Sequence, residues 1–236
     1  MSINQLEIGD AVDEIINEPT PILFVDTCVL LDLIRLPFRQ KKPTTARAYL
    51  DSAENAIRLT KEKKLKIVIL PLIQKEFEDN FAKTKSELSH HIKDTISRME
   101  VLISLHSSGL EKLSIPDSLS SKTELVLEKA CRDLLSLGIH VKQHDELVLK
   151  ANERVVNNIP PSTKGAIQDC IIYEHCLKIS SLLRNQGFTE KIIFFTSNSN
   201  DYCERNGNAK QPICNEFSDL KIELCLNWSW AINKVC

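Results

Sequence analysis

The chain has 236 residues, with 42% hydrophobic content and 30 Lys+Arg against 32 Asp+Glu for a formal charge of -2. That is enough apolar sequence for one generous α/β domain, and the charge excludes a polycation that coats nucleic acid by net charge alone, so any nucleic-acid contact has to be local. The eight cysteines, at 28, 131, 170, 176, 203, 214, 225 and 236, form no CxxC pair, which fits a reducing cytoplasm better than a disulfide scaffold.

The first twenty residues, MSINQLEIGDAVDEIINEPT, are acidic and polar without an apolar segment. No run in the chain approaches the roughly 18 apolar residues of a membrane span, so the expectation is a soluble, cytoplasmic protein with no membrane partner. Four short runs rich in β-branched or aromatic residues then read as strands: Ile22–Val25, Lys66–Leu70, Ile192–Phe195 and Ile222–Leu226. They are continuous rather than alternating, apart from Glu223, as strands buried on both faces of a parallel sheet must be.

Between the first two strands, Val29–Ile34 reads as a short apolar helix, Pro37 to Pro43 as a break and Thr44–Lys64 as a helix. Gln74 to about Leu110 reads as a long helix interrupted at 107–109, Ser114–Ser121 as a loop, and Lys122–Leu137 and Asp145–Val156 as further helices. The 80–160 region is thus expected to be a mostly helical insertion in a single domain spanning 1–236. Pro160, Pro161 and Gly165 punctuate the chain before a helix at about Ala166–Gln186, for which Gly187 is the stop signal.

In open α/β sheets, ligands bind outside the carboxyl ends of the strands, and the residues placed there are acidic. Asp26 follows the first strand, Glu76 lies on the helix after the second, Asp169 sits in the first turn of the helix in GAIQDCIIYEH, and Asn198 and Asp201 follow the strand IIFF. Singly, each has an ordinary explanation: Asp26 as a helix cap, Glu76 as a solvated helix residue, Asp169 as a partner of a helix N-terminus, Asn198 and Asp201 as turn formers. Together they put oxygen ligands from distant segments at one edge, where carboxylates without basic partners must shift protons or take up a hard cation.

The ordered pattern of strand–Asp26–Thr27, Pro71 to Glu76, Asp169 at a helix start and strand–Thr196-Ser197-Asn198 resembles the PIN-domain nucleases over Ile22 to Leu226. It looks closest to a larger bacterial branch, through TSNSNDY at 196–202 and the segment from Arg154 through IPP and Lys164 to DCIIYE. The resemblance implies a three-layer α/β/α fold with a central parallel sheet, and an endonuclease acting on RNA. It also implies Mg²⁺ or Mn²⁺ held by Asp26, Glu76, Asp169 and Asp201 with Asn198, so that the metal activates water and stabilises charge on the phosphate. Thr27, Thr196 and Ser197 would orient those groups through their hydroxyls.

Two departures stand out. Asn198 occupies a position where PIN domains typically carry Asp, and Cys28 one where many carry Asn.

Phosphate contacts are expected from the basic stretch Arg35, Arg39, Lys41, Lys42 and Arg47, or from Arg154 and Lys164 flanking the loop to Asp169. For the latter pair a salt bridge with a neighbouring acid is an equal reading. Lys61, Lys63, Lys64 and Lys66 precede a strand and belong at the opposite edge. The six histidines show no metal-ligand spacing, and Trp228 and Trp230 read as packing residues.

A haloacid-dehalogenase-like phosphatase would need Asp at position 28, which is Cys, and a phosphoacceptor receiver would need paired acids and a shorter chain. The alternative left open is a catalytically weak PIN-like module that binds RNA or protein. Toxin, antiphage and RNA-processing roles, an inhibitory protein partner and a homodimer all fit the resemblance equally.

Overall fold

The computed structural model describes residues 4–40, 42–106, 118–162 and 166–235. Along the chain run α1 Ile8–Asn17, β1 Ile22–Val25, α2 Thr27–Ile34, α3 Leu36–Arg39, α4 Pro43–Lys61, β2 Lys66–Ile69, α5 Ile73–His106 and α6 Leu119–Leu137. There follow β3 Ile139–His140, α7 Asp145–Val156, α8 Ile167–Asn185, β4 Ile192–Phe195, α9 Ser199–Tyr202, α10 Ile213–Asp219, β5 Ile222–Cys225 and α11 Trp228–Val235. The breaks expected at 107–109 and over 114–117, and Gly165, lie outside the described residues.

All four apolar runs form strands, in one five-stranded parallel sheet of order β3-β2-β1-β4-β5. Ile22 pairs with both Lys66 and Ile192, and β1 and β4 are buried at every position, as strands covered on both faces require. On one side α2, α4, α6 and α11 pack together, and α7, α8 and α1 form a second group, giving the three-layer α/β/α arrangement. The chain steps outward from β1 through β2 to β3, then returns through α7 and α8 to β4 on β1's other flank. This reversal puts the topological switch point between β1 and β4, where a crevice opens at the carboxyl edge.

Three local expectations need correction. The acidic N-terminal segment forms α1, whose Ile8, Ala11, Val12 and Ile15 repeat at helical spacing and are buried. Lys66 Nζ donates to the carbonyls of Glu14, Ile15 and Glu18 at the end of that helix, so one member of the basic run at the far edge of the sheet serves as a cap. Pro37 does not break the chain but sits in the first turn of α3, where its missing N–H costs nothing. The mostly helical 80–160 stretch also contributes β3, which extends the sheet beside β2.

Glycine is required at two helix ends. Gly187, at φ +82°, closes α8, with its N–H donating to Arg184 O. A Cβ on Gly138 would lie 2.5 Å from Ile69 Cγ1, so only glycine lets α6 pass this close to β2 on its way into β3.

Candidate active site

Asp26 is the first residue beyond β1, and its amide continues the sheet by donating to Phe195 O on β4. This places its carboxylate at the switch point, only 3% exposed. Thr196, the first residue beyond β4, donates its hydroxyl to Asp26 Oδ2 at 2.6 Å and accepts the Asn198 amide N–H at 3.0 Å, tying the two strand ends together. Glu76 enters from the first turn of α5 and accepts the Thr27 hydroxyl on Oε2 at 2.7 Å. Asp169 arrives from the first turn of α8. Asn198 Nδ2 donates to Asp201 Oδ2 at 2.6 Å and reaches Asp169 Oδ2 at 3.5 Å.

The electrostatics show how closely these acids crowd. Burial, followed by the charges of Asp26, Asp201 and Glu76, pushes the Asp169 carboxyl from 3.8 up to about 7. Burial also raises Asp26 against the opposing hydrogen bonds from Thr196 and Cys28. Glu76 rises for the same first reason, helped by Asp26 and Asp79 and opposed by Thr27. Among the described residues, no lysine or arginine figures among the influences on these three groups.

The donor set therefore fits a hard divalent cation: carboxylate oxygens, crowded, partly desolvated and, among the described residues, lacking a cationic partner. Among the described residues, however, no group of three or more His, Cys, Asp or Glu stands in a geometry ready to hold a metal ion. Uncompensated carboxylates repel one another, and here Asp26, Glu76 and Asp201 each turn an oxygen toward a hydroxyl or amide donor instead of toward a common centre.

A model of the PIN-domain family matches residues 23–202, from within β1 to the end of α9. The chain belongs to the PIN-domain family. No curated protein and no solved structure matches it.

In this PIN domain the acidic residues picked out by sequence come together, while four of the basic ones, Arg35, Arg39, Arg47 and Arg154, pair with acids outside that cluster. Of the two readings of Arg154, substrate clamp or salt bridge, the structure shows the salt bridge: Arg154 is the centre of an internal ion-pair cluster. It is buried, donates to Glu174, to Glu216 and at 2.9 Å to Pro160 O, and lies over the Tyr173 ring. Arg39 pairs with Asp32, and Arg35 engages Asp32, Glu87 and the Thr84 hydroxyl. Arg47 pairs with Asp51 along α4. Lys42 is exposed, while Lys41 and Lys164 lie outside the described residues. Ser197 meets the site through its backbone N–H, which donates to Cys28 Sγ.

Three neighbours of the site were given no contact with it by the sequence, although Cys28 was already visible as a departure from the family pattern. Cys28 donates its thiol to Asp26 Oδ2 at 3.0 Å. Burial and the Asp26 charge raise that thiol well above its ordinary range, so it acts as a neutral donor rather than a thiolate. Tyr202, fully buried, extends its hydroxyl to Asp169 O at 3.5 Å. Asp79 lies one helical turn beyond Glu76, a spacing that was open to view in the sequence.

The histidines take structural places: His140 lies in β3, and His175 accepts the His144 amide N–H on Nε2. Trp228 is buried edge-on against Phe195. Every cysteine among the described residues is a free thiol, and no helix there is long and apolar enough to cross a membrane.

Proposed function

We propose that this PIN domain is a divalent-metal-dependent endonuclease that hydrolyses phosphodiester bonds in RNA, with Mg²⁺ or Mn²⁺ as its cofactor. The observation that carries the reading is the convergence of Asp26, Glu76, Asp169 and Asp201 from separate segments, with Asn198 bridging the last two, and burial and the other three acids together pushing the Asp169 carboxyl up. A fold gains no stability from such crowding, so the arrangement is best explained by a cation that the acids bind during function.

Asp26, Glu76, Asp169 and Asp201 would hold the cation, together with the Asn198 side chain after its amide turns its oxygen inward. When bound, the metal would supply Lewis-acid neutralisation of the charge that builds on a scissile phosphate. Thr196 and Thr27 fix the orientation of Asp26 and Glu76 through one oxygen of each carboxylate, and Cys28 adds a second donor to Asp26. The buried floor of β1, β4 and Tyr202 keeps water from beneath the acids. Free, largely buried thiols suit a reducing cytoplasm as its setting.

The test is cleavage of labelled single-stranded RNA and DNA in Mn²⁺ or Mg²⁺, with EDTA controls, by wild type and by folded Asp26→Asn. Metal-dependent cutting of RNA that disappears in the variant is expected. RNA binding without any cutting would instead support a non-catalytic module, the reading that the Asn198 amide, donating into Asp201 and Asp169, favours.

A further inference from the structure

A cleft of about 400 Å³ opens between the first turns of α5 and α8, immediately beside the acids. That is the size of a small-ligand pocket. Leu72, Ile167 and Ile171 form its apolar wall. They belong to a satellite cluster, separate from the main core and backed by Ala151 and Cys170, so the wall is already packed from behind. Leu72 holds its place with φ at +75°, a left-handed conformation that a leucine adopts only when its surroundings impose it.

The polar rim is of a different kind. Lys75 stands beside Glu76 and Asp79, so the cleft carries no excess of positive charge and makes a poor seat for a phosphate. Its other polar groups are amides. Asn80 Nδ2 donates to Glu76 O at 2.8 Å, which leaves its side-chain oxygen as an acceptor, and Gln168 is exposed with both amide ends available. A flat apolar slot edged by amide donors and acceptors suits a heterocycle better than an ion.

Glu76 settles which heterocycle, because it is at once a wall of the cleft and one of the acids. A base in the cleft and a phosphate at the acids can therefore belong to one strand, joined through a ribose. Beyond Asp201 lies a second cavity, of about 490 Å³, with Ser199, Asn200, Arg205 and Lys210 in its lining, polar and suited to backbone rather than base.

We propose that the cleft between α5 and α8 receives an unpaired nucleobase of the strand whose phosphate lies at the acids, with Gln168 and Asn80 contacting its edge. The proposal rests on the nuclease reading and adds a requirement to it: the substrate must present an unstacked base, so the protein takes single-stranded or looped nucleic acid.

The experiment compares binding of two labelled strands of equal length and charge in Ca²⁺, a hard cation that takes oxygen ligands, using a short single-stranded RNA and its fully abasic ribose-phosphate counterpart. Wild type is expected to bind the intact strand about tenfold more tightly. Gln168→Trp, which fills the cleft from its rim, should bind both strands alike, with the wild-type affinity for the abasic one. Asn80→Trp, from the opposite wall, should repeat this pattern, and thermal unfolding checks that each variant is folded. Equal binding of the two strands by wild type, or a preference that survives both tryptophans, overturns the cleft assignment while Mn²⁺-dependent cleavage keeps the nuclease reading. Failure of wild type to bind or cut RNA at all overturns both.

Discussion

Helix α8 carries two acids with opposite company, Glu174 buried and Asp169 half-buried. Glu174 meets the Arg154 guanidinium, which also takes Glu216 and lies over Tyr173, whose hydroxyl donates to Glu216 at 2.7 Å. Burial alone would pull the Arg154 guanidinium down, but its bonds to Glu216 and Glu174 outweigh that and hold it above its ordinary value. Asp169, in the first turn of the same helix, faces Asp26, Asp201 and Glu76, and its proton is held up to about 7. Both acids are at least partly removed from solvent, and the more buried of the two is the one in the ion-pair cluster, so burial does not distinguish a structural acid from a functional one. The countercharge does: the cluster supplied with an arginine finds it within the protein itself, while the other meets no lysine or arginine among the described residues and, on the proposed function, takes its countercharge from a bound cation.

The sharpest way to break this contrast is to remove the arginine. Arg154→Met leaves Glu174 and Glu216 without their cation and should cost about 3–5 kcal/mol in urea unfolding. A loss comparable to an ordinary surface substitution would mean that the two clusters are not opposites. Supplying the missing cation to the other cluster is the complementary test. Mn²⁺ at a hundred times its dissociation constant should stabilise the wild type by about 2.7 kcal/mol in thermal unfolding, and Asp169→Asn by much less.

A smaller effect is expected from Thr196→Val, which removes the hydroxyl that orients Asp26. Mn²⁺ affinity, read by titration calorimetry, should fall about 10–100-fold.

The acids were legible because each follows a strand or opens a helix, and strand ends of a parallel sheet converge whatever the sequence between them. The strands themselves were legible as continuous apolar runs. β3 was not, since Ile139–His140 is too short to show any periodicity and is held only by its neighbour β2. In α1, the acidic residues between the four buried positions hid the apolar stripe.

The fate of Arg154 depended on Glu174 and Glu216, 20 and 62 residues away, and nothing in its own neighbourhood distinguished a phosphate ligand from a buried ion pair. Asn198 was visible as a departure from the family pattern. Its donation to two acids became visible only once β4 and α8 were brought side by side.

Dependence on pH sharpens the contrast further. Because the Asp169 carboxyl titrates at about 7 in the fold against an ordinary 3.8, the folded state binds that proton more tightly than the unfolded chain. The stabilisation this proton contributes is full below pH 3.8 and lost as pH rises through about 7. In EDTA, wild type should therefore lose stability relative to Asp169→Asn across that window, and a constant difference between them would remove the crowding on which the contrast depends. At the small end, Arg47→Ala touches only the exposed Asp51 and Glu54 on α4 and should change stability by less than about 0.5 kcal/mol.

The most direct test of the central claim is the rate at which Asp169→Asn cleaves single-stranded RNA in Mn²⁺, at a temperature where its own unfolding curve shows it folded. The account predicts a loss of more than about 100-fold, beyond what losing an outer hydrogen-bond partner costs, in a protein at least as stable as wild type in EDTA at neutral pH. Cleavage at the wild-type rate, or a loss of activity that merely follows a loss of stability, would contradict it.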